Sequence, residues 1–222
     1  MKKPNVIAID GTAGSGKSTV AKEVAKELGF LYIDTGAMYR ALTLAAVNEG
    51  LDLSDRDALL ALSKNTDIEL KDSGGSLKVY LDKKDVSEDI RTMEVTTKVK
   101  HLASLKGVRE NMVKIQRKLG HSSRGAVLEG RDIGTVVFPE TPYKFYLDAD
   151  FETRAARRFR ELKEKGLSVS LEEVRKDVEH RDSSDMTRKV GALKKAEGAT
   201  VIDTTDMTVC EVAKRILDIV KK

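Results

Sequence analysis

The sequence predicts a doubly wound α/β fold: a parallel sheet of five short strands with helices between them, a small antiparallel β insertion and a helical lid. Three observations carry this reading. Short apolar runs alternate with longer helical patterns, which favours a parallel sheet covered on both faces. The stretch Gly11-Thr-Ala-Gly-Ser-Gly-Lys-Ser18 fits G-x-x-x-x-G-K-[ST] at every fixed position. And that stretch sits where the pattern needs it, between a strand and a helix.

Taken in order, Asn5 to Asp10 reads as a buried strand. Thr19 to Leu28 reads as a helix, with Val20, Ala21, Val24, Ala25 and Leu28 on its apolar side and Gly29 ending it. Between them Gly11, Thr12, Ala13, Gly14, Ser15, Gly16, Lys17, Ser18 and Thr19 form a nucleoside-triphosphate site. The glycines let the backbone wrap so that its N–H groups point at a polyphosphate, and the helix adds the positive end of its dipole. Lys17 reaches the β- and γ-phosphates, and the Ser18 hydroxyl ligates Mg²⁺.

Phe30 to Ile33 reads as the second strand. Asp34-Thr-Gly-Ala-Met-Tyr-Arg40 then opens a helix running to about Asn48. A carboxylate, a hydroxyl and a glycine at a strand's carboxyl end lie where open α/β sheets bind ligands. Tyr39 and Arg40, one turn in, can point back over that place. Residues 51 to about 61 read as a polar connector and a short helix, with a capping pattern at Ser54 to Ala58. From Ile68 to Val86 the period changes to that of an antiparallel meander, with turns at Asp72 to Ser76 and Asp82 to Lys84. Helices run from about Met93 to Leu119 with a break near Gly107, and Arg109 starts the second of them.

Ala126 to Glu129 is the third strand, followed by Gly130-Arg-Asp-Ile-Gly-Thr135, and Tyr143 to Leu147 is the fourth. Asp150 caps a helix on which Arg154, Arg157 and Arg158 share a side; the plain reading is a solvated face paired with Glu152, Glu161 and Glu164. A loop at Gly166 to Ser170, a helix from Leu171 to about His180 and an alternation of cations and carboxylates from Arg181 to Arg188 come next. Ala199 to Asp203 is the fifth strand, and Val209 to Val220 an amphipathic closing helix.

Composition bounds the function. The chain has 222 residues, enough for one domain with small insertions, and 40 basic against 36 acidic residues leave a formal charge of +4. So slight a balance is weak evidence for nucleic acid and adequate for a phosphorylated small molecule. Cys210 is the single cysteine, which excludes an internal disulfide and fits a reducing compartment. No apolar run approaches the roughly 20 residues of a membrane span, and the chain enters its first strand without a signal peptide. We therefore expect a cytoplasmic monomer with no nucleic-acid or membrane partner. His101, His121 and His180 lack metal-ligand spacing. A GTPase needs an Asn-Lys-x-Asp motif that this chain lacks, and a transporter ATPase needs a signature loop. Arginines at 40, 109, 131, 154, 157, 158, 181 and 188 gather near strand and helix ends instead. Phosphoryl transfer requires two phosphates held in line and charge neutralised, which bidentate arginines do. A small-molecule kinase is the natural reading.

Several motifs in this order resemble the bacterial cytidylate kinases, of the nucleoside monophosphate kinase group, over essentially the whole chain. They are Ile9-Asp-Gly11 into the phosphate loop, Asp34 to Arg40, Ile90-Arg-Thr92, Glu129 to Pro139, and Arg181-Asp with Asp185 and Arg188. The adenylate kinases' Thr-Gly-Asp-x-x-Arg and Gly-(Phe/Tyr)-Pro-Arg segments are missing. The resemblance implies transfer of the ATP γ-phosphoryl to CMP or dCMP with Mg²⁺, by one kinase domain over residues 1–222. Its acceptor-binding insertion would lie at about 35–105 and its lid at about 151–170. It implies that Arg40, Arg131 and Arg188 grip the CMP phosphate with Thr35 in support, that Arg109 and Asp132 face cytosine, and that Arg181 and Asp185 meet the sugar. Lys17, Arg131 and a lid arginine, Arg157, would serve the transferring phosphoryl. Asp132 carries specificity, because a carboxylate accepts from the N4 amino group of cytosine and repels uracil's carbonyl. Lys100 departs from the small hydroxyl expected beside the base. The rival readings are a kinase for UMP, shikimate or another small acceptor, and a non-catalytic ATP-binding switch.

Overall fold

Strand β1 (Val6–Gly11) is buried at every residue, and its alternation serves two faces. Val6 and Ala8 enter one apolar layer, Ile7 and Ile9 the other. This follows from the twofold repeat of a strand at the centre of a covered sheet. The computed structural model describes residues 5–73, 76–122 and 124–221, and β1 is the middle strand of its five-stranded parallel sheet. With β2 (Leu31–Asp34), β6 (Ala126–Gly130), β7 (Tyr143–Asp148) and β8 (Thr200–Asp203), the order is β2-β6-β1-β7-β8. The register pairs Asp10 with Gly130, Asp34 with Glu129, Gly11 with Leu147 and Asp148 with Asp203. Chain segments distant in sequence thus bring their carboxylates to one edge.

Helices α1 (Lys17–Leu28) and α8 (Val209–Val220) cover one face, burying Val20, Val24, Val212 and Ile216 against Phe145 and Ile202. On the other face lie α2 (Thr35–Asn48), α3 (Arg56–Asn65), α4 (Met93–Ala103) and α5 (Lys106–Ser122), with Met38, Leu42, Leu59, Leu102 and Met112 buried. Each large side chain fully removed from water contributes about 1.5–3 kcal/mol, so these layers hold the fold. The insertion is an antiparallel sheet of β3 (Ile68–Ser73), β4 (Ser76–Leu81) and β5 (Lys84–Asp85), in that order. It packs Ile68, Leu70, Val79 and Leu81 onto the α2 side. Gly74 and Gly75, in the turn expected from the sequence, lie outside the described residues. Helices α6 (Phe151–Glu164) and α7 (Leu171–Thr187) form a hairpin with its own small apolar cluster of Leu162, Val174 and Val178, flanked by Phe159 and Leu167.

The fold class, the five parallel strands and the antiparallel insertion stand as the sequence predicts. Several boundaries differ, among them the end of α3, which runs on to Asn65. The break between α4 and α5 falls at Ser104 and Leu105, and Gly107 is helical. A Cβ there would come within 2.9 Å of Leu60, so this glycine serves helix packing and not a bend. Helix α7 does not stop at His180 but runs on to Thr187, carrying Arg181, Asp182 and Asp185.

Candidate active site

The phosphate loop closes on itself around Lys17. Gly11 has φ +154 and a Cβ there would lie 1.9 Å from Leu147 O, so only glycine fits where the loop leaves the sheet. Gly16, in the left-handed region, caps α1. Lys17 Nζ donates to Thr12 O at 2.5 Å and to Ser15 Oγ at 3.3 Å. Thr12 Oγ1 donates to Asp148 Oδ1, and Thr204 Oγ1 to Ser15 O, which ties the loop to the ends of β7 and β8. Burial, then the nearby Arg131 guanidinium, pushes the Lys17 ammonium down to about 7, against the pull of Glu129, Asp185 and Asp10. Those groups therefore share one cleft with it. Ser18 and Thr19 are exposed on the first turn of α1.

Two buried carboxylates line the floor of that cleft. Asp10, at the end of β1, accepts the backbone N–H groups of Ile133 and Gly134, each at 2.8 Å. Those amides open a single π-type turn, Ile133–Val137, wider than an α-helical turn, directly after Arg131 and Asp132. Burial raises the Asp10 carboxyl to about 6 despite both hydrogen bonds. Glu129, at the end of β6, takes the Tyr32 hydroxyl at 2.5 Å. Burial and then the Asp34 carboxylate push it up, while Lys17 and a hydrogen bond from Ser18 oppose them. Both fall within the motifs of the family resemblance, but neither is given a role there, because each looks like the polar last residue of a strand.

The acceptor-side residues form two linked groups. Asp34 caps α2 through Ala37 N–H and pairs with Arg40 at 3.2 Å. Thr35 Oγ1 donates to Glu129 O at 2.7 Å, so its hydroxyl is anchored to β6. Arg131 Nε meets Asp185 Oδ2 at 2.6 Å, and Arg188 Nη2 meets Asp185 Oδ1 at 2.5 Å. Burial alone would raise the Asp185 carboxyl; the two guanidiniums overcome it and hold the group below the usual carboxylate range. Arg181 pairs instead with Asp177 at 3.2 Å, one turn back on α7, and burial lowers its pKa. Arg109 and Asp132 form a nearly buried ion pair, with Arg109 Nη1 also on Ala103 O and its guanidinium 5.4 Å from the Tyr39 ring centroid. Gly191 presses on that guanidinium: a Cβ there would come within 2.1 Å of Nη2, and its φ is +65. Tyr39 Oη and Arg109 Nε are buried without a hydrogen-bond partner beside this pair. Lys100 is exposed on the last turn of α4.

The arginines of α6 depart from the solvated face expected from the sequence. Only Arg158 pairs as that reading has it, with Glu161 at 2.8 Å. Glu152 joins Arg175 of α7. Arg157 turns to the end of β8, giving Nη1 to Thr204 Oγ1 at 3.0 Å and Nη2 to Thr204 O at 2.6 Å. Arg154 points inward, buried, to Ala13 O of the phosphate loop and to Asp182 of α7. Arg154 and Asp182 are the site residues that helical spacing concealed, since spacing does not reveal which neighbour covers a face.

With this geometry in view, the comparisons are specific. The sequence profile described as Cytidylate kinase matches residues 7–222. A cytidylate kinase of Bacillus pumilus is 50% identical over 98% of this chain and 96% of its own length. One of Caldanaerobacter subterraneus subsp. tengcongensis is 48% identical over 97% of this chain and 94% of its own. The crystal structure of an uncharacterized protein from Eubacterium ventriosum superposes with a TM-score of 0.54 over 98% of each chain at 13% identity, a likeness of fold alone.

Proposed function

The chain belongs to the cytidylate kinase family, and on that premise we propose that it transfers the γ-phosphoryl group of ATP to CMP or dCMP, giving ADP and CDP or dCDP. The observation that carries the residue assignment is the shared cleft of Lys17, Arg131 and Asp185. The guanidinium of the acceptor side lies close enough to the cation of the donor loop to lower its pKa. In a phosphoryl transfer between them, Lys17 follows the β- and γ-oxygens while Arg131 bridges the moving group and the acceptor phosphate. Arg40 and Arg188, whose carboxylate partners Asp34 and Asp185 are part-exposed, exchange those partners for the CMP phosphate. Thr35 supports them. Asp132 accepts from cytosine N4–H, oriented by Arg109, and Arg181 with Asp185 meets the sugar hydroxyls. Residues 35–105 act as the acceptor-binding insertion and 151–170 as the lid that closes on ATP, with Arg157 as its arginine toward the phosphates.

Mg²⁺ takes few protein oxygens when phosphates and water supply the rest. The exposed Ser18 hydroxyl, with the Glu129 carboxylate within hydrogen-bond reach of it, is an oxygen set of that kind. When bound, the metal neutralises charge on the donor phosphates. A monomer acting in the cytoplasm without nucleic-acid or membrane partners completes the proposal; among the described residues no helix is long and apolar enough to cross a membrane.

The test is ADP release from Mg·ATP with CMP, dCMP, UMP, AMP and shikimate offered separately. Rapid turnover with CMP and dCMP alone is expected. Turnover only with another acceptor would overturn the base pocket, and ATP binding without acceptor-dependent turnover would point to a switch protein.

A second expectation concerns protons. In the free protein Lys17 titrates at about 7, depressed by burial, so at pH 8 it is mostly neutral. A bound polyphosphate favours the ammonium and raises that pKa. ATP binding at pH 8 should therefore take up protons, an uptake absent from a Lys17→Met variant. Calorimetry in two buffers of different ionisation enthalpy measures it directly; equal heats in both would refute the shift.

A further inference from the structure

We propose that Asp182 and Arg154 are positioning residues that clamp the Ala13 peptide of the phosphate loop to helix α7, coupling nucleotide occupancy at the loop to acceptor binding on the same helix. The clamp holds both backbone polar groups of one residue, and so fixes the two peptide units that flank the Ala13 Cα. Ala13 N–H donates to Asp182 Oδ1 at 3.0 Å, and Arg154 Nη1 donates to Ala13 O at 3.0 Å. Arg154 also pairs with Asp182 directly and gives its Nε to Ala149 O at 3.0 Å. Both residues are buried, at 7% and 8% exposure. The next residue, Gly14, lies so close to α6 that a Cβ would come within 2.8 Å of Arg154 O.

A buried ion pair is weak evidence for stability. What this one fixes is orientation. The Ala13 amide belongs to a loop whose N–H groups serve anions, and the anion it holds here is a carboxylate of α7. Three residues further along that unbroken helix, Asp185 joins Arg131 to Arg188. A rearrangement of the loop on a triphosphate is therefore transmitted to the acceptor side through less than one turn of rigid helix. The α6–α7 hairpin has its own apolar cluster, which would let it shift as a unit about this clamp.

The inference rests on the kinase reading, and its test separates the two. CMP is titrated calorimetrically into the protein alone and into the protein saturated with a non-hydrolysable ATP analogue and Mg²⁺. In the unmodified chain the analogue should tighten CMP binding by about tenfold. In Asp182→Asn, nearly the same shape without the charge, that factor should fall to about one, measured from either ligand because the coupling is reciprocal. Arg154→Lys, which keeps the charge but cannot span Ala13 O and Asp182 together, should give an intermediate factor and serves if the first variant does not fold. A factor of one in the unmodified chain, or an unchanged factor in variants that merely bind nucleotide more weakly, overturns the inference. Failure of CMP to bind at all would instead overturn the kinase reading.

Discussion

Replacing Lys17 by methionine is expected to lower kcat by about a thousandfold or more without loss of thermal stability. Methionine keeps the length of the stem and removes the one cation that the phosphate loop carries at its centre. The transferring phosphoryl group then gains its charge in a low-dielectric cleft with only the guanidiniums to meet it. Stability moves the other way. Lys17 is buried, and its folded pKa of about 7 lies below the unfolded value of about 10.5. The unfolded chain therefore binds more protons between those values, and this group's contribution to stability rises with pH across that window and is smallest near pH 7. Removing a charge that folding disfavours should leave the midpoint of unfolding unchanged or raise it at pH 7.5. Single-turnover kinetics and calorimetric scans of the same preparation report both. A variant with a lowered midpoint and only a modest loss of rate would make Lys17 a structural residue.

Asp132→Ala is the second large effect, and it is a double one. Asp132 is the carboxylate partner of Arg109 in a pair that is 4% and 8% exposed at the side chains. Truncating it leaves a buried guanidinium held by Ala103 O alone, which costs roughly 3–5 kcal/mol. That is a large part of the roughly 5–15 kcal/mol by which a domain is stable. Specificity falls as well, since the site loses the acceptor that distinguishes an amino group from a carbonyl. The ratio of kcat/KM for CMP over UMP should drop by about a hundredfold. Asp132→Asn separates the effects. It restores a hydrogen-bond acceptor for Arg109 and most of the stability, but its amide can turn a donor toward the base and so accept UMP. If the alanine variant keeps its CMP preference, cytosine is read elsewhere in the cleft.

What could be read from the sequence was local. The phosphate loop announces itself in eight residues, and the strands are apolar runs bounded by turn residues, so order and class follow from patterns that need no partner. Asp34 and Thr35 could be suspected because a carboxylate and a hydroxyl open a helix straight after a strand. Asp10 and Glu129 sit in motifs of the resemblance, but their roles could not be read, since their surroundings come from register: Asp10 is held by amides more than a hundred residues away. Arg154 was hidden for the same reason. Its spacing on α6 matches that of Arg157 and Arg158, and only the third dimension distinguishes a guanidinium on a loop peptide from one beside Glu161. The last two turns of α7 escaped because they are polar and carry cations and carboxylates that look like loop chemistry.

The strand order has a consequence for the birth of the chain. β1 is made first, yet its two neighbours in the sheet are β6 and β7, and Tyr143 opens β7 roughly 130 residues after Gly11. At bacterial or eukaryotic elongation rates of about 5–20 residues per second, on the order of ten seconds pass before both edges of that apolar strand can be paired. The phosphate loop it carries cannot take its native shape earlier, because the Leu147 carbonyl against which Gly11 rests and the Asp182 carboxylate that receives Ala13 have not yet left the ribosome. The loop's native shape thus waits for segments far along the chain, and until β6 and β7 emerge the apolar run Val-Ile-Ala-Ile-Asp-Gly has neither of its sheet partners.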